Sequence, residues 1–249
     1  IESWMLKPPG FDPAKKYPLV INIHGGPNSW YGYDFVPLDQ TLAAAGYIVI
    51  YANPRGSGSY GGDFARQVVG DWGGEDYLDL MAVVDEAITR PYVDENRTGV
   101  YGYSYGGFMT SWIVGHTHRF NAAVIGSPVV NLISFFGTAD IGHIWSQRQF
   151  GGLPWEIRDW YLEHSPITYA HTVVTPSLII HSEGDDRVPI GQGEELFTTL
   201  KKVGVETEFV RYPGGNHLFF RIGEPAYSFD FLTRILDWYD RHIGDATAS

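Results

Sequence analysis

The chain has 249 residues, 44% hydrophobic and 15% aromatic, which is enough for one large core. Lys and Arg total 17 against 29 Asp and Glu, a net charge of −12 that argues against nucleic acid and anionic membranes as partners. There is no cysteine, so disulfides, thiolate metal sites and cysteine nucleophiles are excluded, and a reducing, cytoplasmic setting is the expectation.

The opening stretch, IESWML, reads as a strand with nothing before it to pair with. The expectation is that an N-terminal piece was removed or belongs to a longer parent chain. No apolar run reaches transmembrane length and no leader-like segment opens the chain. Tyr17–His24 (YPLVINIH) is a β-rich run ending at a glycine pair, which predicts a buried strand. Residues 38–45 predict a short helix stopped by Gly46, and Tyr47–Ala52 a second strand ended by Asn53-Pro54.

Next comes RGSGSYGG. Its Gly56, Gly58 and Gly61 match G-x-G-x-x-G, and Glu75 and Asp76 lie near the distance of a ribose-binding acid. The segment that follows, GDFARQVVGDWGG, opens no clean helix, so a pyrophosphate would lack a helix N-terminus. Dinucleotide binding is therefore set aside.

Tyr77, Leu80, Met81, Val84 and Ile88 recur at helical spacing and predict an amphipathic helix over 75–89. Thr98–Tyr103 reads as a strand, Tyr105–Val114 as a helix and Phe120–Ile125 as a strand. Residues 128–171 break this rhythm and read as an irregular aromatic insertion, too short for its own core. A strand at Pro176–His181, a helix at Glu194–Val203, a strand at Glu206–Tyr212 and a helix at Phe229–Tyr239 complete the chain. Apolar strands alternating with helices indicate an α/β domain over 1–249, with a mostly parallel sheet covered on both faces.

Gly102-Tyr103-Ser104-Tyr105-Gly106 fits G-x-S-x-G between a strand and a helix. That context presents a serine hydroxyl on a sharp turn, with glycines letting strand and helix approach; the plain alternative is an ordinary strand–helix turn. A serine needs a base to take its proton, and the base needs an orienting carboxylate. The carboxylate-rich loop SEGDDRVP offers Asp185 and Asp186, and PGGNH offers His217. Each follows a strand, where parallel sheets place their sites. Of nine histidines, only His217 sits in a glycine-rich loop after the last strand. His24 reads as a loop organiser and His181 as a core-edge residue; His116, His118, His143, His164, His171 and His242 read as surface or structural. His116 and His118 form H-x-H without an acidic partner at useful spacing, so no metal site is expected. HGGP at 24–27 resembles the glycine motif that supplies one oxyanion N–H, the residue after the nucleophile supplying the other; this assigns Gly26 and Tyr105, against a plain tight turn for HGGP.

Taken together, HGGP, NPRGSGSYG, GDWGGEDY, GYSYGGFMT, DDRVP and GGNH resemble, in order, the catalytic domain of the prolyl oligopeptidase family of serine peptidases, nearest its acylaminoacyl-peptidase branch. The resemblance implies an α/β-hydrolase fold, a serine peptidase acting on short peptides or N-acylated aminoacyl peptides, and no cofactor. It selects Asp185 over Asp186, and it gives Arg187 the role of holding a substrate carbonyl, against a surface arginine paired with Asp186. It implies that Phe135, Phe136, Ile141 and Trp145 of the insertion wall the S1 pocket. The same aromatics would equally suit core or dimer packing, which leaves a homo-oligomer open. The family's N-terminal β-propeller has no counterpart here. A carboxylesterase with the same triad is the rival reading, and a catalytically idle interaction domain a remote one.

Overall fold

Seven strands form one sheet in the order β1-β3-β2-β4-β5-β6-β7 in the computed structural model, which describes residues 1–244. They are β1 (Ser3–Leu6), β2 (Tyr17–Ile23), β3 (Ile48–Ala52), β4 (Val93–Tyr103), β5 (Ala122–Gly126), β6 (Ser177–Ser182) and β7 (Thr207–Tyr212). All pair in parallel except β1, which runs antiparallel against β3 from Ser3↔Ala52 to Leu6↔Val49. The opening strand thus finds its partner later in the chain, at the sheet edge. The fold is that of an α/β hydrolase.

The central strands read as unbroken apolar runs because both faces are covered. β5 and β6 are buried along their whole length. One face carries the helices Glu75–Ile88, Tyr105–His116 and Gly191–Val203; the other carries Pro37–Ala44 and Pro225–Ile243. The helix after Ser104 is buried from Tyr105 through Val114, so it carries no solvent-facing polar stripe. The closing helix starts at Pro225, four residues before the predicted Phe229, with its proline in the first turn, where a missing N–H costs nothing.

Two expectations are corrected. Residues 128–171 are not irregular: they fold into helices Leu132–Thr138, Gly142–Phe150 and Arg158–Glu163 and a 3₁₀ turn over Pro166–Thr172. These helices are short, and the buried side of the second is built from Gly142, Ser146 and Gln149 before Phe150, so no apolar period shows in the sequence. Leu132, Phe135, Phe150 and Tyr161 join the core shared with the helix after Ser104. A five-residue helix, Gly62–Arg66, also follows the glycine-rich loop. That loop is packed shut: a Cβ on Gly56 would lie 2.6 Å from Val68, and the buried Ser57 hydroxyl donates to the Pro54 carbonyl. Among the described residues no helix is long and apolar enough to cross a membrane.

Candidate active site

Ser104 ends β4 and opens the helix Tyr105–His116 with φ 64° and ψ −119°, one of three non-glycine residues at positive φ among those described. Its N–H donates to the Gly126 carbonyl at 2.9 Å, and its carbonyl accepts from the Phe108 N–H at 2.9 Å. Backbone strain of this kind persists only where the surroundings over-determine it. The surroundings here are glycines. A Cβ on Gly102 would stand 2.1 Å from the Gly106 carbonyl oxygen, and one on Gly106 2.2 Å from that of Ile23. Strand and helix therefore meet at backbone distance, and the serine hydroxyl is the group left projecting.

His217 follows β7 and reaches back across the sheet. Its Nε2 lies 3.0 Å from Ser104 Oγ, and its Nδ1 lies 2.7 Å from Asp185 Oδ2. Asp185 is almost fully buried, and its Oδ1 accepts from the Val188 N–H at 2.8 Å. A carboxylate accepting at Nδ1 leaves Nε2 free to take the serine proton. The sequence-selected Ser104, His217 and Asp185 are thus brought into one hydrogen-bonded chain, and Asp186 is excluded from it.

The strand preceding the serine holds this histidine too. Tyr103 donates its phenol proton to the His217 carbonyl at 2.8 Å and accepts from Ser127 Oγ at 2.7 Å. On the other side of Ser104, Tyr105 buries its ring and donates to Asp76 Oδ2 at 2.5 Å. Burial pushes the Asp76 carboxyl up to about 7, opposed by the Tyr105 and backbone hydrogen bonds. Sequence reasoning assigned neither Tyr103 nor Asp76. Both lie inside quoted motifs, but nothing in a sequence says which way a phenol points.

Gly25 and Gly26 run beside the serine. A Cβ on Gly25 would lie 3.5 Å from that of Ser104, and Gly26 has φ 120° with a cis bond to Pro27. The Tyr105 N–H opens its helix, where no carbonyl four residues earlier can receive it. His24 organises the loop as expected, its ring spanning the Gly25 carbonyl at 2.8 Å and Ser57 Oγ at 2.9 Å. Burial lowers it to about 4, so it is neutral near pH 7. His181 is fully buried, donates from Nε2 to the Val188 carbonyl at 2.7 Å and supports the Asp185 loop from beneath.

A cavity of about 1450 Å³ opens over Ser104 and has two arms. One is aromatic, walled by Trp72, Tyr105, Val129, Phe135, Ile141 and Trp145. Trp72 forms its floor and meets Tyr105 and Trp145 edge-on at 4.8 and 5.4 Å between centroids. Phe136 is the exception to the expected wall: it stands outside the cavity and packs against Trp155 at 5.7 Å, because successive residues of its helix face different ways. Arg187 lines the same cavity. Its ion partner is Asp140, not Asp186, with contacts of 2.8 and 3.2 Å. Their hydrogen bond holds the Asp140 carboxyl below, and the Arg187 guanidinium above, the ordinary range. The other arm is tyrosine-rich, with Tyr31, Tyr51 and Tyr101 among its lining residues. Among the described residues no three His, Asp or Glu side chains converge as a metal site requires.

The profile of the prolyl oligopeptidase family matches residues 34–246. A Bacillus subtilis protein described as "Uncharacterized peptidase YuxL" is 47% identical over 244 residues, which cover 98% of this chain and 37% of that protein. Dipeptidyl-peptidase 5 of Schizosaccharomyces pombe is 33% identical over 257 residues, covering 100% of this chain and 37% of its own. The solved structure of Pyrococcus horikoshii acylaminoacyl peptidase superposes with a TM-score of 0.94 at 31% identity, over 99% of this chain and 40% of that one. The chain therefore spans about two fifths of the length of these proteins.

Proposed function

The chain belongs to the prolyl oligopeptidase family of serine peptidases, and on that premise we propose that it hydrolyses short peptides or N-acylated aminoacyl peptides through an acyl-enzyme on Ser104. The observation that carries the proposal is the run of contacts from Ser104 Oγ through His217 to Asp185 Oδ2, on a serine held at positive φ beside an aromatic arm.

In this reading Ser104 Oγ attacks the scissile carbonyl while His217 Nε2 takes its proton. Asp185 stabilises the imidazolium through Nδ1, and Val188 N–H keeps the carboxylate from turning away. The N–H groups of Gly26 and Tyr105 receive the oxyanion. Collapse expels the amine, protonated by His217. Water, deprotonated by the same imidazole, then attacks the ester and releases the acid. The aromatic arm takes the side chain on the acyl side of the bond, with Trp72 added to Phe135, Ile141 and Trp145 and with Phe136 left out. Arg187, poised on Asp140, holds a carbonyl oxygen of the acyl part.

The test is matched kinetics of wild type and Ser104→Ala on an acetyl-aminoacyl anilide, a free-amine aminoacyl anilide and a short nitrophenyl ester. Best turnover of the acetylated anilide, abolished by Ser104→Ala, supports the acylaminoacyl reading. Turnover of the ester alone favours an esterase. Turnover that survives Ser104→Ala overturns the mechanism.

A further inference from the structure

The tyrosine-rich arm has no role in the chemistry above, yet it is built with care. Asn22 is the register partner of Tyr51 on β3 and of Tyr101 on β4, so the three side chains stand abreast on one face of the sheet. Tyr31 closes over them, its ring 5.0 Å from that of Tyr51. The hydroxyls of Tyr31, Tyr51 and Tyr101 hydrogen-bond no side chain or carbonyl among the described residues, and all three residues line the cavity. Arg221, on the short helix Phe219–Ile222, lines it as well. It rests on the Phe220 ring at 5.4 Å and pairs with no carboxylate among the described residues. Two charges reach into the arm: burial drives the Tyr31, Tyr51, Tyr101 and Tyr103 phenols up, Asp39 adds to the rise at Tyr31, Tyr51 and Tyr101, and the Arg221 guanidinium counters it at Tyr31, Tyr101 and Tyr103.

Three unspent hydroxyl donors and one guanidinium therefore border a single recess. Two carboxyl groups lie near it. Asp34 is exposed at the rim. Asp39 lies beyond Asn22, which donates to its Oδ1 at 2.6 Å, and burial raises it to about 6. The side of the reaction this recess serves follows from His217, which hands its proton to the departing amine. Arg221 lies four residues past His217, on the short helix whose Phe219 packs with Tyr101 on one face of the sheet, while Trp72, Tyr105 and Phe135 pack on the other.

We infer that this arm is a leaving-group subsite that receives a free C-terminal carboxylate, one or two residues beyond the scissile bond, on Arg221 and the adjoining phenols. The inference rests on the peptidase reading above for which side departs. It makes the protein selective for short peptides that end just past the cleaved bond, because a longer chain or a capped terminus offers no carboxylate there.

The test compares acetyl-Phe-Gly with its C-terminal amide, the acyl part being identical. Wild type is expected to favour the acid by roughly tenfold or more in kcat/KM, the scale of one charge-assisted hydrogen bond, and chiefly through KM. Arg221→Gln should bring acid and amide to one level, and Arg221→Lys should keep part of the preference. Equal wild-type rates on the two would overturn the inference, as would an Arg221→Gln variant that loses acid and amide alike. A preference for a lysine leaving residue that Asp34→Asn removes would also overturn it, making the arm a cation site. Titration calorimetry with Ser104→Ala reads the arm without turnover. Tighter binding of acid than amide, lost on adding Arg221→Gln, supports the arm even where neither compound is cleaved, a result that would sink the peptidase reading alone. Equal binding with normal cleavage sinks the arm alone.

Discussion

Tyr105 donates its phenol proton to Asp76 across 2.5 Å, in the core at the start of the helix that follows Ser104. The pair fixes the first turn of the helix Tyr105–His116 from its buried side. Asp76 stands at about 7 in the fold against an ordinary 3.8, so its protonated form favours folding. That contribution is complete below about pH 4 and is lost as pH rises through 7. Asp76→Asn should remove this slope, so the wild-type stability advantage over Asp76→Asn should shrink between pH 5 and pH 8 by on the order of a few kcal/mol. Urea midpoints of both proteins across that range check it. Taking the difference cancels Asp39, which is raised to about 6 and acts with the same sign, and His24, which is lowered to about 4 and favours the alkaline side. Parallel curves would mean that Asp76 does not titrate as described.

Asp185→Asn should preserve the fold and lower kcat by about three to four orders of magnitude, because an amide at Oδ2 no longer holds the Nδ1–H tautomer. Burst kinetics on a nitrophenyl ester measure the acylation step directly. A loss of less than tenfold would show that His217 is oriented by other contacts.

Tyr103→Phe removes the hydroxyl that ties Ser127 to the His217 carbonyl. Leaving the buried Ser127 hydroxyl unmet should cost about 1–3 kcal/mol. Looser placement of the histidine loop should lower kcat several-fold with KM nearly unchanged, since the hydroxyl's two hydrogen bonds go to the loop and to Ser127 and the ring stays in place. Thermal melts and ester kinetics on the one variant separate the two effects.

Gly106→Ala should not give a stable protein, because its Cβ would meet the Ile23 carbonyl at 2.2 Å, a backbone contact that cannot yield cheaply. Gly137→Ala is the control: nothing lies within 4 Å of its Cβ site, in the helix Leu132–Thr138. A neutral or slightly stabilising effect, up to about 1 kcal/mol, is expected there. Denaturation midpoints of the two variants test whether the glycines beside Ser104 are steric necessities.

The sheet was legible in the sequence because its central strands are largely apolar and its helices carry clear stops. Ser104 and His217 were legible because glycine and strand context surround them, and the choice between Asp185 and Asp186 came only with the family pattern. What stayed hidden depends on direction in space. Periodicity could not show that Phe135 enters the cavity while Phe136 turns to Trp155. Nor could it pair Arg187 with Asp140, a partner 47 residues away on the insertion. The helices of 128–171 were obscured because they are short and because Gly142, Ser146 and Gln149 hold buried positions while Ile144 is exposed, which blurs the apolar stripe that marks an amphipathic helix.

The order of strands in the sheet has a kinetic meaning as well. Ser104 meets His217 across 113 residues, and His217 meets Asp185 across 32, with β5, β6 and β7 laid down between the first residue and the last. Loop-closure entropy makes such distant contacts late events in folding. On the proposed mechanism, a partly folded chain therefore holds Ser104 apart from His217, and hydrolysis starts only once the final strand has docked. Regain of activity after refolding would then time the last step of assembly, where helix formation would time only the first.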